Sequence, residues 1–155
     1  MRYAIFNHTR QMLVLILIGQ YFLKVPVIGR FLSRAIEYFV RIFFSSDISC
    51  VALIPKSVRF IHGHDIVIGA KVVIGERCKI FNGVTLGNKD TEVGSDNQPV
   101  IGCDCVISTG AKILGGVHIG DRSIVGANAV VIDDVPADSV AVGIPAKILN
   151  RKGAR

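Results

Sequence analysis

The sequence predicts an all-β solenoid preceded by a short helical segment, and three patterns carry that prediction. Ile68, Ile74, Ile80 and Leu86 stand six residues apart, as do Ile101, Ile107, Ile113, Ile119, Val125 and Val131. Gly69, Gly75, Gly87, Gly102, Gly120 and Gly126 directly follow members of these two series. Upstream of residue 45 the period changes to helical spacing. A period of six matches neither an α-helix, at about 3.6, nor a simple meander. It matches short parallel strands joined by tight turns, stacked so that the aliphatic side chains form a continuous internal ladder. Glycine and small residues fall where the backbone turns and a larger side chain would collide.

In chain order, residues 1–45 form the apolar and amphipathic helical segment. The run Met12 to Ile18 has seven apolar residues, well short of the ~20 needed to cross a bilayer, and Lys24 and Pro26 interrupt its continuation. No small-residue cleavage site follows it, so a secretory signal is not predicted. From Val27 to Phe44, Ile28, Phe31, Leu32, Ala35, Ile36, Phe39, Ile42 and Phe43 recur at helical spacing with Arg30, Arg34, Glu37 and Arg41 between them. This amphipathic helix either caps the hydrophobic end of the following domain or, through residues 12–44, lies on a membrane surface.

Residues 46–149 form the solenoid, and 150–155 a basic tail. Ile54, Phe60 and Ile66 extend the ladder upstream, with a two-residue slip before Ile68. The fifteen-residue gap between Leu86 and Ile101 is filled by a polar segment, residues 88–98, expected as a loop extruded from the wall. Ala111 and Ala129 each sit four places after a ladder residue.

Half of the 155 residues are hydrophobic, which suits one folded domain. The formal charge is +6, but the cations are scattered and there is no Trp, so a nucleic-acid groove is not predicted. An anionic small molecule or membrane surface suits the charge. Cys50, Cys78, Cys103 and Cys105 lack zinc-ligand spacing, and they are read as free thiols in a reducing compartment. No phosphate-binding glycine loop is present; the segments GSDNQP and GGVHIG lack its spacing.

The hexads IGAKVV, IGERCK and VGANAV and the ending AVGIPAKIL resemble the hexapeptide-repeat acyltransferases. More narrowly, DIVIGAKVVIGERCKIFNGVTLG followed by VIGCDCVISTGAKILGGVHIG is similar to the serine acetyltransferase branch, including relatives that acetylate polysaccharides. The resemblance implies a left-handed parallel β-helix, a homotrimer, a cytoplasmic location and acetyl-CoA as co-substrate without a metal. It places the catalytic histidine at His62, four residues before Ile66, and its carboxylate partner fifteen residues earlier at Asp47. Fifteen residues is close to one coil if three hexads make a turn, so Asp47 is expected beside His62. His62 would take the proton of an acceptor hydroxyl and Asp47 would orient the imidazole. Backbone N–H groups near Gly87 and Asn88 would donate to the thioester oxygen.

His64 lies next to Asp65, but neighbours on a strand point to opposite faces, which makes a poor pair; His62 and His64 share a face by the same parity. His118 is expected to project from the wall, and His8 has no evident partner. Acetyl-CoA would lie along the repeats from Ser108 to Ala129, with Gly110, Ala111 and Gly126 allowing close approach and Lys147 meeting its phosphates. Arg151 and Lys152 fit a frayed terminus better.

Three departures from the serine pattern bear on the acceptor. Ile61 stands where the branch carries an acid, and Asn97 and Gln98 stand where it carries Arg-His. The branch's long N-terminal helical region is not in these residues. Neutral amides cannot hold the ends of a zwitterion but do bind sugar hydroxyls. A saccharide acceptor bound by His64, Asp96, Asn97 and Gln98 is therefore expected, with L-serine as the alternative. A non-catalytic scaffold and a zinc hydratase remain the other classes this fold admits.

Overall fold

The computed structural model describes residues 8–90 and 97–150. Two antiparallel helices, α1 (His8–Phe22) and α2 (Ile28–Phe44), precede fourteen short strands numbered β1 to β14 in chain order. The strands build three walls of a prism. The first contains β1 (Asp47–Ile48), β3 (Val67–Ile68), β6 (Thr85–Gly87), β9 (Lys112–Leu114) and β12 (Val130–Val131). The second contains β4 (Val73–Ile74), β7 (Val100–Ile101) and β10 (His118–Ile119). The third contains β2 (Arg59–Ile61), β5 (Lys79–Phe81), β8 (Val106–Ile107), β11 (Ile124–Val125), β13 (Ser139–Val142) and β14 (Lys147–Asn150).

Register gives the coil length directly. Val67 pairs with Thr85 and Lys112 with Val130, so a regular coil takes 18 residues, from 67 to 85 and from 112 to 130. Asp47 pairs with Val67, a coil of 20, and Thr85 with Lys112, a coil of 27. The regular coil is thus the three hexads expected from the sequence, and the fifteen residues from Asp47 to His62 fall short of the 20-residue first coil. The first coil's two extra residues lie between Arg59 and Val67, because Arg59 still pairs with Lys79 at a spacing of 20. The nine extra residues of the third coil lie between Thr85 and Val100, where the sequence expects the loop.

Most hexads turn a large side chain into the prism from the wall and bury a second residue four places on, toward the corner. Ile48, Ile68, Leu86, Ile113 and Val131 line the first wall, Ile54, Ile74, Ile101 and Ile119 the second, and Phe60, Ile80, Ile107 and Val125 the third, none more than 3% exposed. Ile66 does not continue the Ile54–Phe60 series. It stacks at the corner with Val84, Ala111 and Ala129, all fully buried, so the slip falls before Ile66. Corners repeat left-handed backbone: Asp65 (φ 54°), Gly83 (69°), Gly110 (72°) and Asn128 (57°) occupy one stacked position. Asp, Asn and Gly tolerate this conformation best.

Tight rungs explain other glycines. A Cβ on Gly75 would stand 2.6 Å from the Gly102 carbonyl and 2.7 Å from the Cys103 nitrogen, both backbone atoms of the next rung. Gly75→Ala is expected to lower unfolding stability by about 1–3 kcal/mol through forced rung separation, readable as a shifted urea midpoint.

The helices close one end of the prism. Met12 and Ile16 of α1 and Val40 and Phe44 of α2 join the ladder in one core cluster. Gln20 Nε2 donates to the Ala52 carbonyl at 2.7 Å, and Glu37 Oε1 accepts from the Cys50 N–H at 2.7 Å. Ser33 Oγ donates to the Gly19 carbonyl at 2.8 Å, stitching α2 to α1. At the other end β14 runs antiparallel to β13, with Val142 opposite Lys147. The parallel ladder therefore ends near Val142, whereas the sequence expectation carried the solenoid to 149.

Candidate active site

The two-residue expansion of the first coil is where His62 stands. β2 ends at Ile61, and His62 turns out of the strand with φ 54°. The His64 N–H donates to the His62 carbonyl at 2.6 Å, and the His64 carbonyl accepts from the Gly83 N–H at 3.3 Å. Neither histidine is in a strand, so the parity argument relating His62, His64 and Asp65 does not apply. Both imidazoles are exposed. The His62 ring makes no hydrogen bond among the described residues and lies at the edge of a groove of about 540 Å³. Thr9, Arg10, Lys56, Ser57 and Arg59 also line that groove. Among the described residues that line it there are three cations and no carboxylate, and the Ser57 hydroxyl donates to Glu76.

Asp47 reaches the same corner from the adjacent rung, since its N–H donates to the Ile66 carbonyl at 2.8 Å and the Asp65 N–H donates to the Ser45 carbonyl at 2.9 Å. Its carboxylate is held by Arg41 Nη2 at 2.7 Å, with both side chains more than half exposed. The expected Asp47–His62 contact is thus replaced here by an ion pair with α2.

The loop leaves from a different corner. Gln98 Oε1 accepts from the Lys71 N–H at 2.9 Å and packs on Gly69, so this amide pins the loop to the wall instead of standing free for an acceptor. Asn97 packs on Gly116 and, with Lys89, Asp90, Leu114 and Gly115, lines a pocket of about 290 Å³. Asp96 lies outside the described residues. One wall of the prism separates this corner from His62; Ile66 to Gly69 spans roughly 10 Å at the usual rise per strand residue. Among the described residues, a single chain does not bring His62 together with Asn97 or Gln98.

The expected acetyl-CoA residues divide. Gly87 is open, with nothing within 4 Å of where its Cβ would stand, and Asn88 and Lys147 are exposed. Ala111 is fully buried in the corner stack, so any ligand approach there would be to its backbone. Gly110 is required by packing on Asn128, and Gly126 by Val142, so neither implies a ligand. His118 projects from the wall as expected, with its Nδ1 4.0 Å from Asp134.

Sequence reasoning missed the basic groove, although Arg59 flanks buried Phe60 and must point outward by strand alternation. It also missed the Gly115–Gly116 pocket, signalled by a doubled glycine beside the ladder. All four cysteines are free; burial pushes the Cys50 thiol up to about 12, and Cys78 is also pushed up, chiefly by its hydrogen bond with Cys105 and by burial. Neither is a thiolate nucleophile at neutral pH. Among the described residues no His, Cys, Asp and Glu cluster could hold a metal.

Repeats, walls and closing helices define the class, and comparison agrees: residues 98–133 match the family described as bacterial transferase hexapeptide (six repeats). Residues 98–133 thus carry that family's repeat, and the chain folds as a left-handed parallel β-helix. Within that class it is similar to serine acetyltransferases. The serine acetyltransferase of Synechococcus elongatus is 36% identical over 132 residues, 85% of this chain and 52% of the relative. Soybean serine acetyltransferase apoenzyme superposes with a TM-score of 0.88 at 33% identity, over 95% of this chain and 60% of that one. A serine acetyltransferase in complex with CoA matches at TM-score 0.80 and 31% identity, over 89% and 55%. The chain spans about half the length of the curated relatives it matches.

Proposed function

We propose that this chain is an acetyl-CoA-dependent O-acetyltransferase with His62 as general base. The observation that carries the reading is the coil expansion at residues 62–65, which presents an imidazole with no protein hydrogen bond at the edge of a basic groove. His62 removes the proton as the acceptor oxygen attacks the thioester carbonyl. The tetrahedral intermediate then collapses, the C–S bond breaks, and the imidazolium returns the proton to the departing CoA thiolate. Asp47 orients and balances the imidazolium once its carboxylate turns from Arg41, and N–H groups at Gly87 and Asn88 serve the developing oxyanion. Because His62 and the described loop residues Asn97 and Gln98 occupy different corners, a homotrimer in which one subunit's His62 meets a neighbour's loop completes the site. Free thiols and acetyl-CoA use suit the cytoplasm.

For the acceptor, the named relatives favour L-serine over the saccharide expected from sequence. A specific observation keeps the saccharide as a second reading. Ile61 and the groove lining supply no carboxylate for serine's ammonium, and Gln98 is occupied by Lys71. The test is thiol release from acetyl-CoA with L-serine and with a panel of hexoses and N-acetylhexosamines. Dominant turnover with L-serine establishes the first reading. Preference for a sugar establishes the second, and no turnover with a folded protein points to a scaffold.

A further inference from the structure

Helix α2 has three faces: one packs into the fold, and a second touches it through the Arg41–Asp47 ion pair. Gly29, Ser33, Val40 and Phe44 turn inward. At 100° per residue, Arg30, Arg34 and Arg41 share a second stripe. The third face is bare and apolar: Ile28, Phe31, Tyr38, Ile42 and Phe43 are 57–74% exposed, with Phe39 at 43%. Phe39 and Phe43 stack at 4.2 Å, and both face Val14 across an open groove of about 600 Å³ between the helices. An apolar surface this continuous is unusual on an isolated soluble domain.

Its charge identifies the occupant. Residues 8–44 contain five cations, Arg10, Lys24, Arg30, Arg34 and Arg41, and one acid, Glu37. Glu37 turns away from the bare face to accept the Cys50 N–H. Arg30 and Arg34 have no ion-pair partner among the described residues. A two-fold contact with the two copies of α2 antiparallel would bring like-charged Arg stripes together. An anionic lipid surface accepts both the aromatic face and the cations. No described helix is long and apolar enough to cross a membrane, so the arrangement is that of a helix lying in the interface.

We propose that the exposed face of α2, with its Arg stripe, docks the protein on anionic phospholipid. This rests on the helix alone and stands or falls separately from the acetyltransferase reading. The test is co-sedimentation of the full chain with vesicles of phosphatidylglycerol and phosphatidylcholine, against phosphatidylcholine alone. The wild type is expected to pellet with the anionic vesicles and to be released by high salt. Phe31→Glu, and separately the pair Arg30→Glu and Arg34→Glu, should each lower the partition coefficient by roughly tenfold or more, with unchanged circular dichroism. Since the chain has no Trp, Phe31→Trp provides a reporter whose emission should shift to the blue only with anionic vesicles. Wild type remaining in the supernatant, or an unshifted Phe31→Trp spectrum, overturns the proposal. So does a Phe31→Glu variant that loses subunits in sedimentation while vesicles bind neither form, which would make this face a contact between chains.

Discussion

His62→Ala is expected to lower kcat for acetyl transfer by about 10² to 10⁴-fold while leaving the thermal unfolding curve essentially unchanged. The first half follows from the proposed role: without a base, the acceptor hydroxyl must lose its proton to solvent as it attacks. The second follows from position, because the exposed ring makes no hydrogen bond that the fold needs. Its backbone does have a constraint, the left-handed φ of 54°. Histidine and asparagine both tolerate that conformation better than most residues, so His62→Asn is the companion variant that separates a backbone effect from the kinetic one. His64→Ala is the control, since it shares the turn and the exposure but not the proposed chemistry. A comparable loss in both variants would shift attention from general-base catalysis to the shape of the turn, and full activity in His62→Ala would remove the mechanism. The measurement is initial-rate thiol release at saturating acetyl-CoA, with whichever acceptor the panel selects.

The ion pair of Asp47 with Arg41 gives that experiment a companion distinction. If Asp47 orients His62 during turnover, its carboxylate has two competing cationic partners, one on α2 and one that develops on the imidazole. The position of the helical hairpin then bears on catalysis through a single side chain. That coupling could not be read from residue spacing, because Arg41 is six residues from Asp47 and belongs to a different element.

The ladder was legible because an inward residue every six positions is a demand that the prism imposes on each rung separately. Corners were less legible. Ile66 and Ile68 are both aliphatic and both buried, so sequence alone could place the slip on either side of Ile66, and only pairing shows that the extra residues are those carrying His62. The coil of three hexads was legible, but the two residues added to the first coil were not, so the fifteen residues from Asp47 to His62 stop further short of a rung than spacing suggests. Gln98 was read as a ligand because its partner, the Lys71 N–H, lies 27 residues away. The final antiparallel strand was hidden since alternation in AVGIPAKIL is the same for either strand direction. Small residues misled similarly: Ala111 and Gly110 are small because rungs stack closely, a reason indistinguishable in sequence from making room for pantetheine.

Ile107→Ala carries the largest stability effect expected in the chain, about 2–5 kcal/mol. Ile107 is fully buried in β8, with Ile80 and Val125 on the rungs to either side. Removing three carbons here leaves a void bounded by backbone on three walls, and a prism whose rungs are fixed by hydrogen bonds cannot contract around it. The rung's position raises the consequence further. In a stacked-repeat protein each coil is stabilised by its neighbours, so a defect in the middle weakens two interfaces, whereas one at an end weakens one. Val125 and Ala141 lie toward the hairpin end, where the ladder already narrows to alanine, and Val125→Ala is accordingly expected to cost less than Ile107→Ala. Urea unfolding at one fixed protein concentration reads both, since association would otherwise move the midpoint. A second transition in Ile107→Ala alone would locate the break between coils, while equal, small losses in both variants would show that the aliphatic ladder is not the main source of stability.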